Sequence, residues 1–466
     1  MKILRIIARL NVGGPAKHVV WLTDALNDGE FESVLVAGTV PPGEEDMGYF
    51  ADRHGVRPLF IEEMSRELSP KDVISLWKVW RTVLREKPDI IHTHTAKAGT
   101  IGRAAGFLYK WLTPGTLVGK PRRVKLVHTY HGHIFHSYYG KAKTRFFLFI
   151  ERTLARLATD RIVTITEQQR KEIHEEFGVG RAGQFEVVPL GIDLSVFEDS
   201  DSRRSVLREE IGASAEEIVV GIVGRLTEIK DHELFLRAAK EFGHEFHELH
   251  ENNHGEQGEA QGGKGRVRFV IIGDGHLRGN LESLASELGI SDRVAFLGNR
   301  EDPEVFYAGL DIVALTSKNE GTPLSLIEAM ASRRPVVSTA VGGVVDLLGA
   351  DVGAGLVPAF SGTPSVNEGA DNHREHGERR REQGKQALGG SQLTAHGSPV
   401  AICERGVAVT TRDPRDLAAA IRTLAEDSQL RTQLADAGYE FVKRKYDKAR
   451  LIEDIRKLYR ELKIDN

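Results

Sequence analysis

Short apolar runs alternate with amphipathic stretches along almost the whole chain. Such runs are typical of buried strands, and they recur in two series separated by a polar stretch near residue 200. The first series predicts strands at 4–8, 33–37, 89–92, 124–129, 161–166 and 185–188. The second predicts strands at 218–223, 267–272, 294–297, 312–315, 335–338 and 406–409. Strands that alternate with helices indicate parallel sheets with both faces covered, so the pattern predicts two α/β domains.

The polar stretch sets the domain boundaries. We expect an N-terminal domain over 1–195, a linker over 196–217 and a C-terminal domain over 218–445. The final residues, 446–466, are predicted to form a helix that packs back on the N-terminal domain.

The clearest helix begins in the sequence SPKD. Ser69 is the expected N-cap and Pro70 the first helical residue. Its apolar face is predicted to consist of Val73, Trp77, Trp80 and Leu84.

Two segments, about 244–266 and 361–399, lack the apolar residues of a packed core and are predicted to be low-complexity insertions. The first contains four closely spaced histidines, at positions 244, 247, 250 and 254. They could form a metal-binding tract, but the composition favours a solvated insertion.

Composition narrows the classes of function. The 466 residues carry a formal net charge of −4, so the chain as a whole has no strong attraction for nucleic acid. The single cysteine, Cys403, cannot form an internal disulfide, which fits a reducing compartment. Arg5 and Arg9 interrupt the apolar start, so we interpret it as a buried strand rather than a signal peptide. These features predict a protein that is cytoplasmic or peripheral on the inner face of the membrane.

Two loops after predicted strands carry candidate anion-binding chemistry. Gly13 and Gly14 follow the first strand, and glycines there let backbone N–H groups approach an anion at the start of the next helix. In GRLTEIKD, Arg225 and Lys230 follow the strand at 218–223. Open α/β sheets bind ligands at the carboxyl ends of their strands, so these two cations suit a diphosphate.

The sequence GDGHLRG resembles a dinucleotide-binding fingerprint through Gly273, Gly275 and Gly279. Arg278 occupies the position of the third glycine, and no acidic residue stands where it would hold a ribose. A nicotinamide or flavin cofactor is therefore not expected.

The strand at 312–315 leads into TSKNEGTPLSLIEAMA. Thr322 is the expected N-cap of the following helix and Pro323 its first residue, so the backbone of 321–324 should offer N–H groups to a phosphate and a sugar. Glu320 precedes the helix and Glu328 lies within it. Carboxylates at these places can bind sugar and ribose hydroxyls.

NEGTPLSLIEAMA resembles the E-x7-E motif of family 4 glycosyltransferases. GGPAKHV, HTHTAKAG, HTYHGH, VPLGIDLSVF and GRLTEIKD resemble other segments of that family in the same order, and the resemblance covers most of the chain outside the two insertions. It implies the GT-B fold: α/β, with two Rossmann-like domains facing across a cleft.

The resemblance also implies roles for individual residues. The implied catalytic residues are His131, Glu320, Arg225 and Lys230. The donor would contact Gly13, Gly14, Arg225, Lys230, Glu320, Gly321, Thr322, Pro323, Leu324 and Glu328, with Glu320 on the transferred sugar and Glu328 on the ribose. The acceptor side would include His94 and Lys97, in a loop that also contains His92. Of His128, His131, His133 and His136, only His131 is expected to act in the reaction.

The implied reaction is the metal-independent, retaining transfer of a hexosyl or N-acetylhexosaminyl group, with no cofactor. UDP is favoured over GDP as the carrier, and the acceptor would be a lipid-linked sugar or a glycan of the cell envelope or of a polysaccharide. Three alternatives remain open: a sugar-nucleotide epimerase on the same fold, a non-enzymatic nucleotide-sugar sensor, and a relative of starch or glycogen synthase.

Between residues 102 and 161, twelve lysines and arginines face only two acidic residues, Glu151 and Asp160. The helix predicted within 141–161 combines these cations with apolar residues. This pattern predicts contact with an anionic membrane surface. An ordinary core-facing helix with a charged outer face is the alternative.

Overall fold

The structure, a computed structural model, describes residues 1–11, 13–40, 46–64, 70–131, 141–251, 267–349 and 398–463. For 141–143, 201 and 242–251 it describes the backbone alone. The helical N-cap expected at Ser69, the predicted segment 361–397 and the histidines at 133 and 136 lie outside this description, as do the side chains of the histidine tract.

The described residues form two parallel-rich sheets. The first contains β1 (Lys2–Ile7), β2 (Glu32–Gly38), β3 (Leu59–Ile61), β4 (Ile90–His94), β5 (Lys125–Tyr130), β6 (Arg161–Thr164) and β7 (Phe185–Val187). The second contains β8 (Ile218–Val223), β9 (Val267–Ile272), β10 (Val294–Gly298), β11 (Ile312–Leu315), β12 (Val336–Thr339), β13 (Val400–Ile402) and β14 (Val407–Val409). Every strand predicted from the sequence is present, and the short strands β3 and β13 are additional.

Helices follow the strands in both halves of the chain. The first half has α1 (Gly14–Ala25), α2 (Gly48–Arg53), α3 (Asp72–Glu86), α4 (Ala96–Trp111), α5 (Lys141–Leu157) and α6 (Glu167–Lys171). The second has α7 (Arg204–Glu210), α8 (His232–Glu251), α9 (Arg278–Glu287), α10 (Pro303–Gly309), α11 (Leu324–Ala331), α12 (Val344–Leu348), α13 (Pro414–Glu426), α14 (Ser428–Tyr446) and α15 (Lys448–Glu461). None of the described helices combines the length and apolar composition that crossing a bilayer requires.

The strand orders are those of doubly wound sheets. The first sheet runs β3-β2-β1-β4-β5-β6-β7, and the second runs β10-β9-β8-β11-β12-β14-β13. All the pairings are parallel except that of β13 with β14. Each sheet therefore reverses its winding once, between β1 and β4 in the first and between β8 and β11 in the second. The protein thus contains two Rossmann-like domains, as the sequence predicted.

The chain divides into two compact units, and each unit is built from more than one segment of the sequence. The first comprises 1–200, 321–332 and 439–466, and the second comprises 201–320 and 333–438. The stretch predicted as a linker contains α7, on which Leu207 is buried and Arg208 binds Asp311 at 3.0 Å. Residues 204–210 are therefore packed structure of the second unit rather than an extended connection.

Helix α15 completes the core of the first unit. Leu451, Ile455, Leu458 and Tyr459 are buried in one cluster with Ile3 of β1, Ile90 of β4 and Val127 of β5. The Tyr459 hydroxyl also lies 2.6 Å from Nδ1 of His92 and accepts a hydrogen bond from Arg5 at 3.4 Å. The last helix of the chain thus packs on the sheet that contains the first strand.

The buried face of α3 agrees in part with the predicted one. Trp80 and Leu84 pack against the core as predicted. The fully buried residues are Ser75, Val79 and Val83, whereas Val73 is 72% exposed and Trp77 is 50% exposed. Trp77 instead lies under the guanidinium of Arg81, 5.0 Å from the ring centroid. The helix also begins at Asp72 rather than at Pro70.

Candidate active site

Each sheet places predicted site residues at its point of reversal, where the connections from neighbouring strands diverge and leave a crevice. In the first sheet, β1 leads to the glycine loop and β4 ends at His94. Gly13 precedes α1 with φ 154°, and Gly14 is the first residue of that helix. The loop geometry is the βα connection that the sequence predicted.

Three histidines from different elements meet beside this crevice. His94 Nδ1 of β4 lies 3.1 Å from Nε2 of His131, which follows β5, and the two rings stack with centroids 5.3 Å apart. His18 of α1 meets the His131 ring edge-on at 4.8 Å. Burial lowers the pKa of His131 to about 4, so its imidazole is neutral at pH 7.

Sequence reasoning selected His94 and His131 but missed His18. The signal was present in GGPAKHV, where His18 stands four residues after Gly14 and therefore on the face of α1 that follows the glycine loop. Only the fold shows that this face turns toward the ends of β4 and β5.

Two further histidines of this region have structural partners. His92 has its Nδ1 2.6 Å from the Tyr459 hydroxyl and its Nε2 2.7 Å from the Thr129 hydroxyl. His128 is fully buried, with Nδ1 2.9 Å from the hydroxyl of Thr93. Both side chains are therefore part of the core of the first unit.

Lys97, predicted on the acceptor side, forms an ion pair of 2.7 Å with Asp72 and is 8% exposed.

In the second sheet, the loops after β8 and β11 bring predicted residues together. Lys230 Nζ donates to Oε1 of Glu320 at 2.5 Å, and the hydroxyl of Ser317 donates to the same oxygen at 2.6 Å. The Glu320 side chain is 10% exposed and that of Lys230 is 24% exposed. Arg225, in the same loop as Lys230, is exposed.

The loop after β11 is anchored by groups that the sequence did not single out. The hydroxyl of Thr316 donates to the carbonyl oxygens of Lys230 and Asp231 at 2.8 and 2.9 Å. Arg412 donates to the carbonyl of Thr316 at 3.2 Å and forms an ion pair with Asp231. These contacts fasten the two loops of the reversal point to each other.

The backbone of Glu320 is fixed from a third loop. Its carbonyl accepts a hydrogen bond from the N–H of Gly343 at 3.1 Å. Gly342 has φ 49°, and a Cβ there would lie 2.0 Å from the same carbonyl oxygen. Only glycine fits this close approach, which holds the Glu320 carboxylate in place.

The start of α11 differs by one residue from the prediction. The helix begins at Leu324, and Pro323 occupies the N-cap position with ψ 86°, outside the helical range. Thr322 is therefore not the N-cap, and its buried hydroxyl has no partner among the described residues. Gly321 is exposed, and Glu328 lies half-buried in the second turn of α11.

The glycines of GDGHLRG have a packing role. A Cβ on Gly273 would lie 2.1 Å from the carbonyl oxygen of Gly224, and one on Gly275 would lie 2.5 Å from that of Leu226. These glycines let the loop after β9 lie directly against the loop after β8, which carries Arg225 and Lys230.

The chain matches two family models. Residues 12–196 match the model described as Glycosyltransferase Family 4, and residues 203–387 match the model described as Glycosyl transferases group 1.

Curated relatives share part of the chain. One, at 28% identity over 290 residues, is an Escherichia coli UDP-Gal:α-D-GlcNAc-diphosphoundecaprenol α-1,3-galactosyltransferase, with 62% of this chain and 67% of the relative covered. Another, at 29% identity over 282 residues, is a D-inositol 3-phosphate glycosyltransferase of Nocardia farcinica, with 57% of this chain and 55% of the relative covered. This chain thus spans about half to two thirds of the length of these two relatives.

A solved structure shows the same fold over the whole chain. HepE of Anabaena, crystallised with UDP and with UDP-glucose, superposes with a TM-score of 0.68 at 20% identity. The superposition covers 99% of this chain and 100% of the HepE chain. The family models, the relatives and the fold agree with the resemblance found in the motifs. The chain belongs to the family 4 glycosyltransferases and has the GT-B fold.

Proposed function

We propose that the protein is a retaining glycosyltransferase that moves a hexosyl or N-acetylhexosaminyl group from a UDP-sugar to a lipid-linked or glycan acceptor of the cell envelope or of a polysaccharide. The observation that carries the proposal is the Lys230–Glu320–Ser317 arrangement at the reversal point of the second sheet. The printed activity of the Escherichia coli relative, which uses UDP-galactose and a lipid diphosphate acceptor, supports the choice of donor and acceptor.

The arrangement provides charge where a departing diphosphate would need it. Lys230 supplies a positive charge, Arg225 lies in the same loop, and the first N–H groups of α11 have no acceptor within the helix. In this proposal, these groups stabilise the negative charge that develops on the diphosphate as the glycosidic bond breaks. Glu320, held by Lys230 and Ser317, binds hydroxyls of the transferred sugar, and Glu328 binds the ribose.

His131 acts in this proposal as a neutral group. With its pKa lowered to about 4 by burial, the ring carries no charge at pH 7 and can exchange one hydrogen bond through each nitrogen. Nε2 already faces His94, while Nδ1 has no partner among the described residues. His131 would therefore orient a sugar hydroxyl near the anomeric carbon, and the acceptor would attack the face from which the phosphate leaves.

Glu320→Gln is expected to lower kcat about 10- to 150-fold in transfer from UDP-galactose to a GlcNAc-diphosphate lipid. Glutamine keeps the size of the side chain but loses the charge, and a charged hydrogen bond is worth about 1.5–3 kcal/mol. Glu328→Gln is the matched control and should affect kcat less, since it is assigned to the ribose.

Equal losses in the two variants, confined to KM, would contradict the roles of Glu320 and Glu328. Interconversion of the UDP-sugar without any acceptor would instead favour an epimerase, and donor binding without turnover would favour a sensor.

Chelation should leave the transfer reaction intact. Charge on the diphosphate is assigned to Arg225, Lys230 and the start of α11, so the reaction has no step that needs Mg²⁺. We expect initial rates after dialysis against EDTA to be no lower than before it. A rate that falls on chelation and returns with Mg²⁺ or Mn²⁺ would overturn the metal-independent mechanism.

Helix α5 supports the proposal of a membrane-bound acceptor. Its exposed residues include Arg145, Arg152 and Arg156, interspersed with Phe146, Phe149 and Leu157, which are 55%, 68% and 63% exposed. Its one acidic residue, Glu151, is turned inward. A cavity of about 350 Å³ beside its C-terminal end is lined by several cations, Lys110, Arg156, Arg161 and Arg181. This face suits anionic lipid, which attracts cations and accepts apolar side chains.

The double variant Arg145→Gln, Arg156→Gln is expected to bind phosphatidylglycerol vesicles about 30-fold more weakly. Each basic residue near an anionic surface contributes about 1 kcal/mol, and two of them would be lost. Lys443→Gln, Arg444→Gln removes the same charge from exposed positions of α14 and should bind as the parent does. Cosedimentation at low and high salt measures both. Equal binding by the two variants would show that α5 is not the contact surface.

A further inference from the structure

The histidine cluster of the first unit has the geometry of a metal site. His18, His94 and His131 each offer one ring nitrogen, and these three atoms lie within 4.8 Å of one another. The closest pair, His94 Nδ1 and His131 Nε2, is 3.1 Å apart. Two nitrogens bound to one tetrahedral zinc at about 2.0–2.1 Å would be about 3.3 Å apart, so this pair is already close to the required spacing.

Hydrogen bonding within the protein leaves one member of this cluster unsatisfied. Both nitrogens of His18 are buried without a partner among the described residues, whereas Nδ1 of His94 and Nε2 of His131 lie against each other. An unsatisfied buried polar atom costs about 1–3 kcal/mol, and such atoms often indicate an ion or ligand. The neighbouring His92 is the internal comparison, because its two nitrogens are both satisfied by hydroxyls.

The chemistry of the donors selects the kind of ion. Burial lowers the pKa values of all three histidines, and the neutral imidazole is the form that binds metal. Three nitrogen ligands without a carboxylate suit Zn²⁺ or Co²⁺ and do not suit Mg²⁺ or Ca²⁺, which prefer oxygen. We propose that His18, His94 and His131 bind a divalent transition-metal ion of the zinc class, with the fourth position open.

The charge around the site predicts what fills the fourth position. The Arg5 guanidinium is close enough to contribute to the lowered pKa values of His18 and His94. Three neutral ligands do not offset the positive charge of a divalent ion that lies near this guanidinium. We therefore expect an anion, either hydroxide or chloride, as the fourth ligand.

Zinc binding is expected to inhibit turnover, an expectation that rests on the proposed function. An ion on Nε2 of His131 leaves the ring proton on Nδ1, so His131 can no longer accept a hydrogen bond from a hydroxyl of the transferred sugar. Zinc is then a reversible inhibitor of a reaction that needs no metal, and chelation restores rather than abolishes activity.

Cobalt binding to the metal-free full-length chain tests the site without using activity. We expect intense visible bands of tetrahedral Co²⁺ that saturate at one ion in this site and disappear when Zn²⁺ is added. His18→Gln should weaken Co²⁺ binding at least about 100-fold, since loss of an outer partner alone costs 10- to 100-fold. His131→Gln is the second ligand variant, and circular dichroism verifies that each variant is folded.

Other histidines provide the control. The sequence has four of them at positions 244, 247, 250 and 254, and a variant with serine at all four should keep the cobalt bands. Absence of tetrahedral bands in the parent, or parent-like bands in a folded His18→Gln variant, would overturn the site.

Zinc titration of the transfer reaction tests the consequence separately. Inhibition should be reversed by EDTA and should be weakened in His18→Gln to the same extent as cobalt binding. If zinc binds through His18 but turnover is unchanged, the metal site stands and the inhibitory effect, together with the assigned role of His131, is wrong.

Discussion

Between pH 6 and pH 5, the metal-free first unit is expected to become markedly less stable toward unfolding. Five buried histidines produce this loss: His18, His92, His94, His128 and His131. Burial is the largest cause of the lowered pKa of each, and the positive charge of Arg103 adds to the effect at His128. The unfolded chain, with pKa values of about 6.5, therefore binds more protons than the folded one.

The sign and the pH range follow from this difference. Above about pH 7.5 almost none of these protons are bound in either state, so the full stability is present. As the pH falls, each histidine of the unfolded chain gains a proton while its folded counterpart stays neutral, which costs up to about 1.4 kcal/mol per pH unit and per histidine. A domain of ordinary stability has a free energy of unfolding of only about 5–15 kcal/mol, so a loss to which five histidines contribute should be measurable.

Tryptophan fluorescence can measure this loss in one unit. The four tryptophans of the chain are at positions 21, 77, 80 and 111, all within the first unit. Urea titrations at pH 7, 6 and 5 should show a steep fall in the unfolding midpoint. His128→Gln, which keeps a polar group toward Thr93, should make the loss between pH 6 and 5 smaller, because one of the five titrating groups is removed. A midpoint that does not change with pH would contradict the prediction.

Arg103→Met is expected to destabilise the first unit by about 3–5 kcal/mol. Arg103 of α4 is fully buried, and its Nη2 donates to both carboxylate oxygens of Glu151 of α5 at 2.7 Å. The hydroxyl of Tyr130 donates to Glu151 Oε2 at 2.6 Å, and Arg103 Nε donates to the carbonyl of Gly99 at 2.8 Å. Removal of the arginine leaves a buried carboxylate without its counter-charge.

The double variant Arg103→Met, Glu151→Gln separates charge from packing. It removes both charges and keeps an acceptor for the Tyr130 hydroxyl, so most of the lost stability should return. Urea unfolding at pH 7.5, followed by tryptophan fluorescence, compares the parent, Arg103→Met and the double variant. If the two variants are equally unstable, lost packing rather than the unpaired charge is the cause.

The sequence predicted those features that depend on neighbours along the chain. The apolar runs located the strands, and the residues after them, Lys230 and Glu320, are among those that the fold brings together. Ser317 and Arg412 were missed because their contribution depends on which loops meet, which no local pattern reports. His18 was missed for the same reason.

Predictions of helix faces and ends were less accurate. Trp77 was placed on the apolar face because of its helical spacing from Val73, Trp80 and Leu84, yet half of the side chain is exposed and it pairs with Arg81. Thr322 has the composition of an N-cap, but the ψ angle of Pro323 delays the start of α11 by one residue. A predicted cap is only as certain as the assumed first residue of its helix.

The packing of α15 on the first sheet determines the order in which the protein can fold during translation. The main stretch of the first unit ends at residue 200, but Leu451, Ile455 and Tyr459 of its core are made about 250 residues later. At the usual 5–20 residues per second, the ribosome needs roughly 10–50 s to supply them. During that time the parts of β1, β4 and β5 that α15 covers in the folded protein stay uncovered. Almost all of the second unit has already been synthesised by then. The N-terminal half of the chain is therefore synthesised first but completed last.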